Sequence, residues 1–563
     1  MSEGGALEAG IFLLAVVALV KPVGVYLERV FERQGTWLDP LLLPAERLIH
    51  RILGIDARRE MDWKRYSTAF VIFSIANMGA LYLLLRWQAW LPWYFPAVMT
   101  TPMTPDLAAN TAVSFVTTTT WQAYAGENTM SYFSQIVLAW QNFLAGAAGL
   151  AVGVAFIRGY ARENTGNLGN FWVDLIRGLL WVLVPISVVG SLFLIGQGVP
   201  MNFARYTVVH TIGGGTQTIA QGPVAALEFI KNLGTNGGGF FNANGAHPFE
   251  NPTPLTNFVE LLAIAVLPAA FTHTFGRMAG RPRDGWLIFW VMTAFFVAGL
   301  AVCERAERSV HPALAHEITG GNMEGKEVRF GLGGSTLGAV VTSNGATGSC
   351  NAADDSFQPL GVMVPLVNML LGEIVYGGLG TGLYSMIFVA LLALYIGGLM
   401  VGRSPEHLGR RLGPVEMKII AIYTLLGPAT VLVLTAVAVA TKAGRAGLTV
   451  NFGPHGFTEI LFAYASAFAN NGQSMASLNA NNLFYNLTTI IAMIAGRFGL
   501  AVLALALAGR FAATSRRPVS AATMPSDGVL FGLLLAGTAL LVVALNFVPA
   551  IAMGPVLEHF SMR

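Results

Sequence analysis

Long apolar runs recur along the whole chain, each close to the length that crosses a lipid bilayer. A membrane-spanning helix needs about 20 mainly apolar residues, and about ten runs of that kind are present. They lie near residues 7–27, 66–90, 132–157, 174–197, 255–278, 286–304, 361–401, 417–441, 483–509 and 528–552. Little sequence remains for a soluble domain of ordinary size, so the pattern predicts an all-α membrane protein.

Four of the polar connections between these runs share a second pattern. Each contains an amphipathic or apolar stretch too short to span, then small polar residues, then a polar stretch that leads into the next run. The stretches are LAANTAVSFVTTTTWQAYAGE (107–127), AALEFIKNLGTNGGGFFNAN (225–244), LGAVVTSNGATGSCNAADDSF (337–357) and EILFAYASAFANNGQSMASL (459–478). We interpret them as a fourfold repeat of span, half-helix, irregular loop and span around a pseudo-fourfold axis.

The repeat divides the chain, which we expect to be a single membrane domain over residues 1–563. The expected parts are an extra first span with a cytoplasmic segment, repeats 1 to 4, and a last span. Their bounds are 1–65, 66–158, 172–278, 285–403, 416–511 and 527–553.

Irregular backbone at membrane depth is tolerated only where it is buried in protein or lines a watery cavity. Four such loops can meet on one axis and direct carbonyl oxygens inward, as a substitute for the hydration shell of a cation. Each half-helix would point its partially negative C-terminal end at the cavity. Glycine-rich outer loops are often simple turns, but four loops at equivalent places favour a cation filter.

Composition and charge agree with a membrane protein and suggest its orientation. The chain is 54% hydrophobic and 11% charged, with a mean hydropathy of +0.60. Because Lys and Arg stay on the cytoplasmic side, their clusters on alternate connections predict that both termini lie outside. The net charge of +3 follows from these clusters and gives no reason to expect nucleic acid. The clusters are Arg29, Arg33, Arg47, Arg51, Arg58, Arg59, Lys64 and Arg65; Arg158 and Arg162; Arg277, Arg281 and Arg283; Arg403, Arg410, Arg411 and Lys418; and Arg510, Arg516 and Arg517, whereas 91–110 has no Lys or Arg.

Other chemistries find little support in the sequence. The two cysteines, Cys303 in a span and Cys350 in an outer connection, predict neither a disulfide nor a metal cluster. The segment GGLGTG (377–382) follows no strand, and no phosphate-binding GxxxxGK[ST] or DKTG phosphorylation motif occurs, so we expect no cofactor and no ATP hydrolysis in this chain. A membrane hydrolase using His247 and Glu250 would lack a nucleophile with a plausible base.

Five segments resemble the potassium-binding A subunit of the Kdp-type, ATP-driven potassium transporter, and the resemblance covers almost the whole chain. They are VTTTTWQAYAGENTMSYF, LGTNGGGFFNANGAHPFENP, NMEGKEVRFG, GEIVYGGLGTGLYSM and GPHGFTEILFAYASAFANNG. The resemblance implies a relative of the potassium channel and Trk/Ktr/HKT superfamily in a bacterial inner membrane, surrounded by lipid. It also implies three partners: a P-type ATPase B subunit that binds ATP and Mg²⁺, a periplasmic-facing C subunit, and a small single-span F subunit.

Carried over by position, the resemblance assigns three residues of each loop to a K⁺ filter. They are Thr118, Thr119 and Thr120; Thr235, Asn236 and Gly237; Ala346, Thr347 and Gly348; and Asn470, Asn471 and Gly472. The family's first loop usually alternates Thr and Asn where this chain has TTTT, and its third usually reads SCG where this chain has ATG. If backbone carbonyls coordinate the ion, these departures leave the ligands unchanged, and their effect would be on affinity and selectivity.

Ionisable residues within spans cost roughly 2.5–3.5 kcal/mol on insertion scales and suggest function. Arg497 would lie below the filter and oppose free passage of a cation, or it could be a structural arginine. Glu373 lies in a span interrupted by Gly372, Gly377, Gly378, Gly380 and Gly382, where the resemblance suggests an exit tunnel toward the ATPase subunit; a structural hydrogen bond is the alternative. Gln122 would lie at the filter rim or brace the first loop.

Two functions remain open from the sequence. The first is a non-catalytic, ion-selecting subunit of an ATP-driven potassium pump, which Arg497 and the interrupted third-repeat span favour. The second is a self-sufficient potassium channel or cation symporter of the same superfamily, which the missing nucleotide motifs equally allow.

Overall fold

The structure, a computed structural model, describes residues 3–90, 102–309, 321–403, 405–516, 518 and 524–562. Residues 91–101 and Arg517, which contribute to the charge argument, lie outside these ranges.

Helices form nearly all of the regular structure in the described ranges. In chain order they are α1 (Glu3–Phe31), α2 (Asp39–Leu53), α3 (Trp63–Trp87), α4 (Pro105–Val116), α5 (Gly126–Thr129), α6 (Tyr132–Ala161), α7 (Phe171–Arg177), α8 (Val184–Gly196), α9 (Val224–Leu233), α10 (Pro254–Met278), α11 (Pro282–Arg308), α12 (Gly331–Asn344), α13 (Pro359–Leu370), α14 (Thr381–Val401), α15 (Pro414–Ala440), α16 (Lys442–Arg445), α17 (Gly453–Ala469), α18 (Leu483–Ile494), α19 (Leu500–Ala513), α20 (Val529–Ile551) and α21 (Leu557–Ser561).

Shorter elements connect or extend these helices. Wider π-helical turns at Gly178–Leu183, Ala495–Gly499 and Ala552–Val556 join α7 to α8, α18 to α19 and α20 to α21. Tighter 3₁₀ turns lie at Gln88–Trp90, Asn244–Ala246 and Asp354–Ser356. Three antiparallel ribbons pair β1 (Met61–Asp62) with β2 (Asn167–Gly169), β3 (Thr207–His210) with β4 (Thr216–Ile219), and β5 (Glu406–His407) with β6 (Arg410–Arg411).

Within the described residues, ten helical segments are long and apolar enough to cross a membrane, which confirms the predicted fold class. They are Gly5–Phe31, Trp63–Trp90, Tyr132–Ala161, Phe171–Gly196, Pro254–Met278, Pro282–Arg308, Thr381–Val401, Pro414–Ala440, Leu483–Ala513 and Val529–Ser561. Of these, α6 and α10 are the most deeply buried in the protein, so they form the centre against which the other spans pack.

The apolar run at 361–401 is interrupted, because the chain is not helical between α13 and α14. Gly372, Glu373, Tyr376 and Gly380 in this segment all have positive φ, which no right-handed helix contains. The expected interruption by glycines is therefore present. We call residues 371–380 the break.

Four helices are too short to span and occupy one position in each repeat. These half-helices, α4, α9, α12 and α17, contain 12, 10, 14 and 17 residues. The helices α12 and α17 begin at Gly331 and Gly453, earlier than the stretches predicted from 337 and 459. The prediction began too late because glycine and proline in the first turns of these helices resemble a loop.

Candidate functional site

The loops that follow the four half-helices repeat one backbone conformation. The first residue of each assigned triplet has positive φ, at Thr118 (66°), Thr235 (51°), Ala346 (52°) and Asn470 (55°). The third residue also has positive φ, at Thr120 (47°), Gly237 (76°), Gly348 (66°) and Gly472 (86°), whereas the middle residue does not. The four triplets are therefore structurally equivalent.

Backbone hydrogen bonds show which way these loops face. In the first loop, the N–H groups of Thr119 and Thr120 donate to the carbonyl of Ser114, at 3.0 and 3.1 Å. A trans peptide places its N–H and C=O on opposite sides, so the carbonyls of Thr118 and Thr119 point away from the half-helix. The equivalent acceptors, four residues before each triplet, are Lys231, Thr342 and Ser466.

The four loops contact one another in a closed ring. A methyl group built at Gly237 of the second loop would lie 1.4 Å from the carbonyl oxygen of Thr347 in the third. One built at Gly348 would lie 2.3 Å from the oxygen of Asn471 in the fourth, and one at Gly472 would lie 2.0 Å from that of Thr119 in the first. Gly238 closes the ring against Thr120. Glycine is required where loops approach this closely.

Side chains of the middle residues turn into the protein instead of into the ring. Thr119, Asn236, Thr347 and Asn471 are all completely buried. The amide of Asn471 donates to the carbonyls of Thr342 and Ser343, both at 3.1 Å, and to Glu373 Oε1 at 3.3 Å. The ring therefore presents backbone oxygens, and side chains support it from behind.

Two cavities lie on opposite sides of the ring. A cavity of about 680 Å³ is lined by the third triplet residues Thr120, Gly348 and Gly472, with Gln122 and Lys326 among the others. A much smaller cavity is lined by all four first residues, together with Gly378, Leu379, Glu373 and Arg497. We call them the outer vestibule and the inner cavity.

Gln122 connects the first loop to the second. Its Nε2 donates to the carbonyl of Gly239 at 3.0 Å, and its Oε1 accepts from the N–H of Gly239 at 2.9 Å. Both backbone groups of Gly239 are thus held by one amide that also lines the outer vestibule. Gln122 therefore braces the first loop against the second, and its place at the rim of an ion filter stays a prediction.

Arg497 projects into the inner cavity from the π-helical turn between α18 and α19. Its Nη2 donates to the carbonyl of Ala145 at 3.1 Å, and its guanidinium carbon lies 5.8 Å from the centre of the Phe70 ring. Among the described residues no carboxylate approaches its nitrogens within 4.0 Å. Arg497 is therefore a buried positive charge without an ion-pair partner in the described chain.

The break lies directly against the inner face of the ring. The N–H of Leu379 donates to Thr235 Oγ1 at 3.1 Å, and a methyl group at Gly378 would lie 3.0 Å from Ala346 Cβ. Gly380 packs on the backbone of Gly149, and Gly382 on that of Gly377. The break, which includes Glu373, thus contacts the second loop, the third loop and α6.

A polar cluster on the outer side ties the third loop to the fourth. The buried Asp354 accepts from Gln473 Nε2 at 2.5 Å, and burial raises the pKa of Asp354 to about 7, although this hydrogen bond and Lys326 oppose the rise. The neighbouring Asp355 accepts from the ring of His455 at 2.9 Å.

Several residues of the site were missed by sequence reasoning. Lys231 is completely buried in α9, where it pairs with Glu228 and Glu250. A charged residue next to a run of glycines, between two apolar spans, is the sequence signal that could have identified Lys231.

The residues considered for a hydrolase make other contacts, since Glu250 pairs with Lys231 and the His247 ring stacks on Phe241 at 3.7 Å. Both cysteines are free.

Comparison with known proteins identifies the family of this chain. The family described as potassium-transporting ATPase A subunit matches residues 10–560. The chain is 50% identical to a potassium-transporting ATPase potassium-binding subunit of Methylorubrum extorquens, over 100% of this chain and 98% of that protein. It is 48% identical to the protein of the same name from Acidobacterium capsulatum, over 100% of this chain and 99% of that protein.

A solved structure shows the same fold at low sequence identity. The potassium transporter TrkH from Vibrio parahaemolyticus superposes with a TM-score of 0.53 and 12% identity, over 86% of this chain and 97% of that chain. This likeness concerns the helical membrane fold alone. The family match over nearly the whole length is decisive for identity: the chain belongs to the family of potassium-transporting ATPase A subunits, and is a membrane subunit of a potassium transporter.

Proposed function

We propose that the chain is the ion-selecting subunit of an ATP-driven, high-affinity potassium uptake pump, and that K⁺ binds within the ring of four loops. The observation that carries this proposal is a closed ring of equivalent loops between two cavities in a member of this family. Backbone carbonyls directed into such a ring can replace the hydration shell of K⁺. The relatives are named for potassium binding.

The electrostatics of the ring support a monovalent cation. None of the twelve triplet residues carries a charge, so the attraction comes from carbonyl dipoles and from the partially negative ends of four half-helices. These fractional charges suit an ion of single charge that must bind and then leave again. The same dipoles disfavour an anion.

Transport by a pump also requires a barrier on the inner side of the ring. Arg497 supplies fixed positive charge there, and at an effective dielectric near 20 it would repel a cation 4 Å away by about 4 kcal/mol. The break offers the alternative exit, because it borders the inner cavity beside Glu373. In this proposal K⁺ passes along the break to a partner ATPase subunit.

The proposal assigns energy supply to other chains. A P-type ATPase B subunit would bind ATP and Mg²⁺, with C and F subunits completing the complex in the bacterial inner membrane. We place the basic connections on the cytoplasmic side and both termini outside. The ten candidate spans found among the described residues are an even number, which supports termini on one side.

A stand-alone channel or cation symporter is the second candidate, favoured by the fold shared with TrkH. Two features favour the pump subunit: the buried charge of Arg497 and the small volume of the inner cavity. A channel at high flux would need a wide path directly inward.

Purification of the chain from its native membrane tests the proposal. We expect a P-type ATPase polypeptide to accompany it, and the ATPase activity of that complex to rise with K⁺ and to rise far less with Na⁺. A chain that purifies alone and conducts K⁺ passively in liposomes would contradict the pump and establish the channel.

A further inference from the structure

The residue four positions before each triplet fastens its loop through the backbone, and in two repeats through the side chain as well. Its carbonyl accepts the loop N–H groups, as described above, and in two repeats its hydroxyl also binds the residue just after the triplet. Ser114 Oγ donates to the carbonyl of Trp121 at 3.0 Å, and Thr342 Oγ1 accepts from the N–H of Ser349 at 2.7 Å. In the fourth repeat, Ser466 Oγ has no hydrogen-bond partner among the described residues.

The second repeat has an ammonium group where the others have a hydroxyl. Lys231 Nζ lies 2.6 Å from Glu228 Oε2 and 2.5 Å from Glu250 Oε2, and all three side chains are completely buried. Breaking a buried ion pair by removing one partner is strongly unfavourable, because it leaves an uncompensated charge. The three side chains therefore hold one another firmly in place.

Lys231 and its ion-pair partner Glu250 contact the two limbs of the second loop. On the ascending limb, the Lys231 carbonyl accepts from the N–H groups of Asn236 and Gly237, at 2.8 and 3.0 Å. On the descending limb, Glu250 Oε1 accepts from the N–H of Phe241 at 2.8 Å. A methyl group at Gly239 would lie 2.7 Å from Glu250 Oε1, so Gly239 is enclosed between Glu250 and Gln122.

The second loop has the greatest need of such a support. The second triplet ends at Gly237, the first of three consecutive glycines, Gly237 to Gly239. None of the other three triplets runs into a stretch of three glycines. Glycine loses more conformational freedom on ordering than any other residue. A single hydroxyl bond would offset less of that cost than the two charge-assisted hydrogen bonds that Glu250 accepts, one from Lys231 Nζ and one from the Phe241 N–H.

We propose that Lys231 is a positioning residue that sets the K⁺ affinity of the ring by fixing both limbs of the second loop through Glu228 and Glu250. This inference rests on the proposed K⁺ site in the ring. Lys231 itself does not contact the ion in this proposal. Its removal should weaken K⁺ binding while the later steps of transport continue.

The experiment uses the assembled complex with its partner ATPase. In Lys231→Met, which keeps the length of the side chain and removes the charge, we expect the half-saturating K⁺ concentration for ATPase stimulation to rise about tenfold or more. The maximal rate should stay close to that of the wild type. Lys231→Arg keeps the charge and should restore part of the affinity.

Glu46→Gln is the matched control. It breaks another buried ion pair, between Glu46 of α2 and Arg177 of α7, whose side chains are 7% and 9% exposed. It should lower thermal stability without changing the half-saturating K⁺ concentration. If Lys231→Met does not assemble, the double variant Lys231→Met/Glu250→Gln, which removes both charges of one pair, takes its place.

Three outcomes are distinguishable. An unchanged half-saturating concentration in the assembled Lys231 variant overturns the inference. The inference is also overturned if neither Lys231→Met nor the double variant assembles while Glu46→Gln does. The ion-pair cluster would then be needed only for folding. A wild-type complex whose ATPase ignores K⁺ would instead contradict the proposed function.

Discussion

In the proposed function, Arg497 is the residue that distinguishes a pump subunit from a leak. The guanidinium is buried at the inner side of the ring, with a carbonyl and an aromatic ring as neighbours and no carboxylate within 4.0 Å in the described chain. A charge in this position is costly to bury, so a structural role alone would be served better by an uncharged side chain.

Replacing Arg497 by Gln should preserve assembly but let K⁺ leak inward. Loss of part of a barrier of about 4 kcal/mol would raise the leak about tenfold or more. The measurement is K⁺ flux into liposomes that contain the complex, compared with ATP hydrolysed. Arg497→Lys retains the charge and is the control, although it lacks the planar fork. Wild-type coupling in the Gln variant would make Arg497 structural and move the barrier to the break.

Gly237→Asp should alter the choice of ion. A side chain at this position would collide with the Thr347 carbonyl, since even a methyl group would lie 1.4 Å from its oxygen. A carboxylate in the ring would also favour smaller or more strongly hydrated cations. ATPase stimulation by K⁺, Rb⁺ and Na⁺ measures the effect.

Gly280→Asp is the matched control for Gly237→Asp. Gly280 also has positive φ, at 74°, but has no neighbouring atom within 4 Å of an added methyl group. Backbone strain is therefore common to both variants, and only the intrusion into the ring differs. An unchanged ion series in Gly237→Asp would exclude Gly237 from the binding site.

At the scale of elements, one histidine joins three segments on the outer side. His455 at the start of α17 lies 2.9 Å from Asp355 in a 3₁₀ turn and 2.7 Å from Glu558 in α21. Burial alone would lower the pKa of His455, but the hydrogen bonds that its ring donates to both carboxylates raise the pKa to about 10. The fourth half-helix is thereby attached to the end of the last span.

This contact predicts a pH-dependent stability. Because the pKa of His455 rises from 6.5 to about 10 on folding, its stabilisation should be complete below pH 6.5 and disappear as the pH rises through 10. The melting temperature of the wild type should therefore exceed that of His455→Gln at pH 6 and converge with it near pH 10. A constant difference across this range would contradict the assignment. His210→Gln, in the exposed β3–β4 hairpin, is the control.

Elements were predictable from sequence where the hydrophobic pattern alone determines them. The spans and the four half-helices follow from run length, which membrane thickness fixes. The break was indicated by Gly377, Gly378 and Gly380, because glycines in a row oppose a continuous helix. Helix starts such as those of α12 and α17 were not predictable, since glycine and proline at their first turns resemble loop.

The site was predictable only in part, for a physical reason. Repetition located the four loops, and the resemblance assigned the triplets within them. Contacts between the loops join residues more than a hundred positions apart, which no local pattern encodes. Lys231 was missed because its partner Glu250 follows 19 residues later. The K⁺ ligands themselves remain a prediction, since the assignment of the triplets derives from resemblance.

At the scale of the whole molecule, the ring joins the beginning of the chain to its end. Asn470 Nδ2 donates to Thr119 Oγ1 at 3.0 Å, and the two residues are 351 positions apart. Asn110 of α4 likewise donates to Thr489 of α18 at 2.7 Å. The first and fourth repeats are therefore direct neighbours, as closure about a pseudo-fourfold axis requires.

This closure has a consequence during biosynthesis. A ribosome adds residues in order, at about 5–20 per second, so the first loop must wait several tens of seconds for the fourth. Until Gly472 reaches Thr119, three loops form an open arc with one side unfilled. If the ring binds K⁺ as proposed, a partly made chain cannot surround the ion on every side, and K⁺ binding begins only once the fourth repeat is in place.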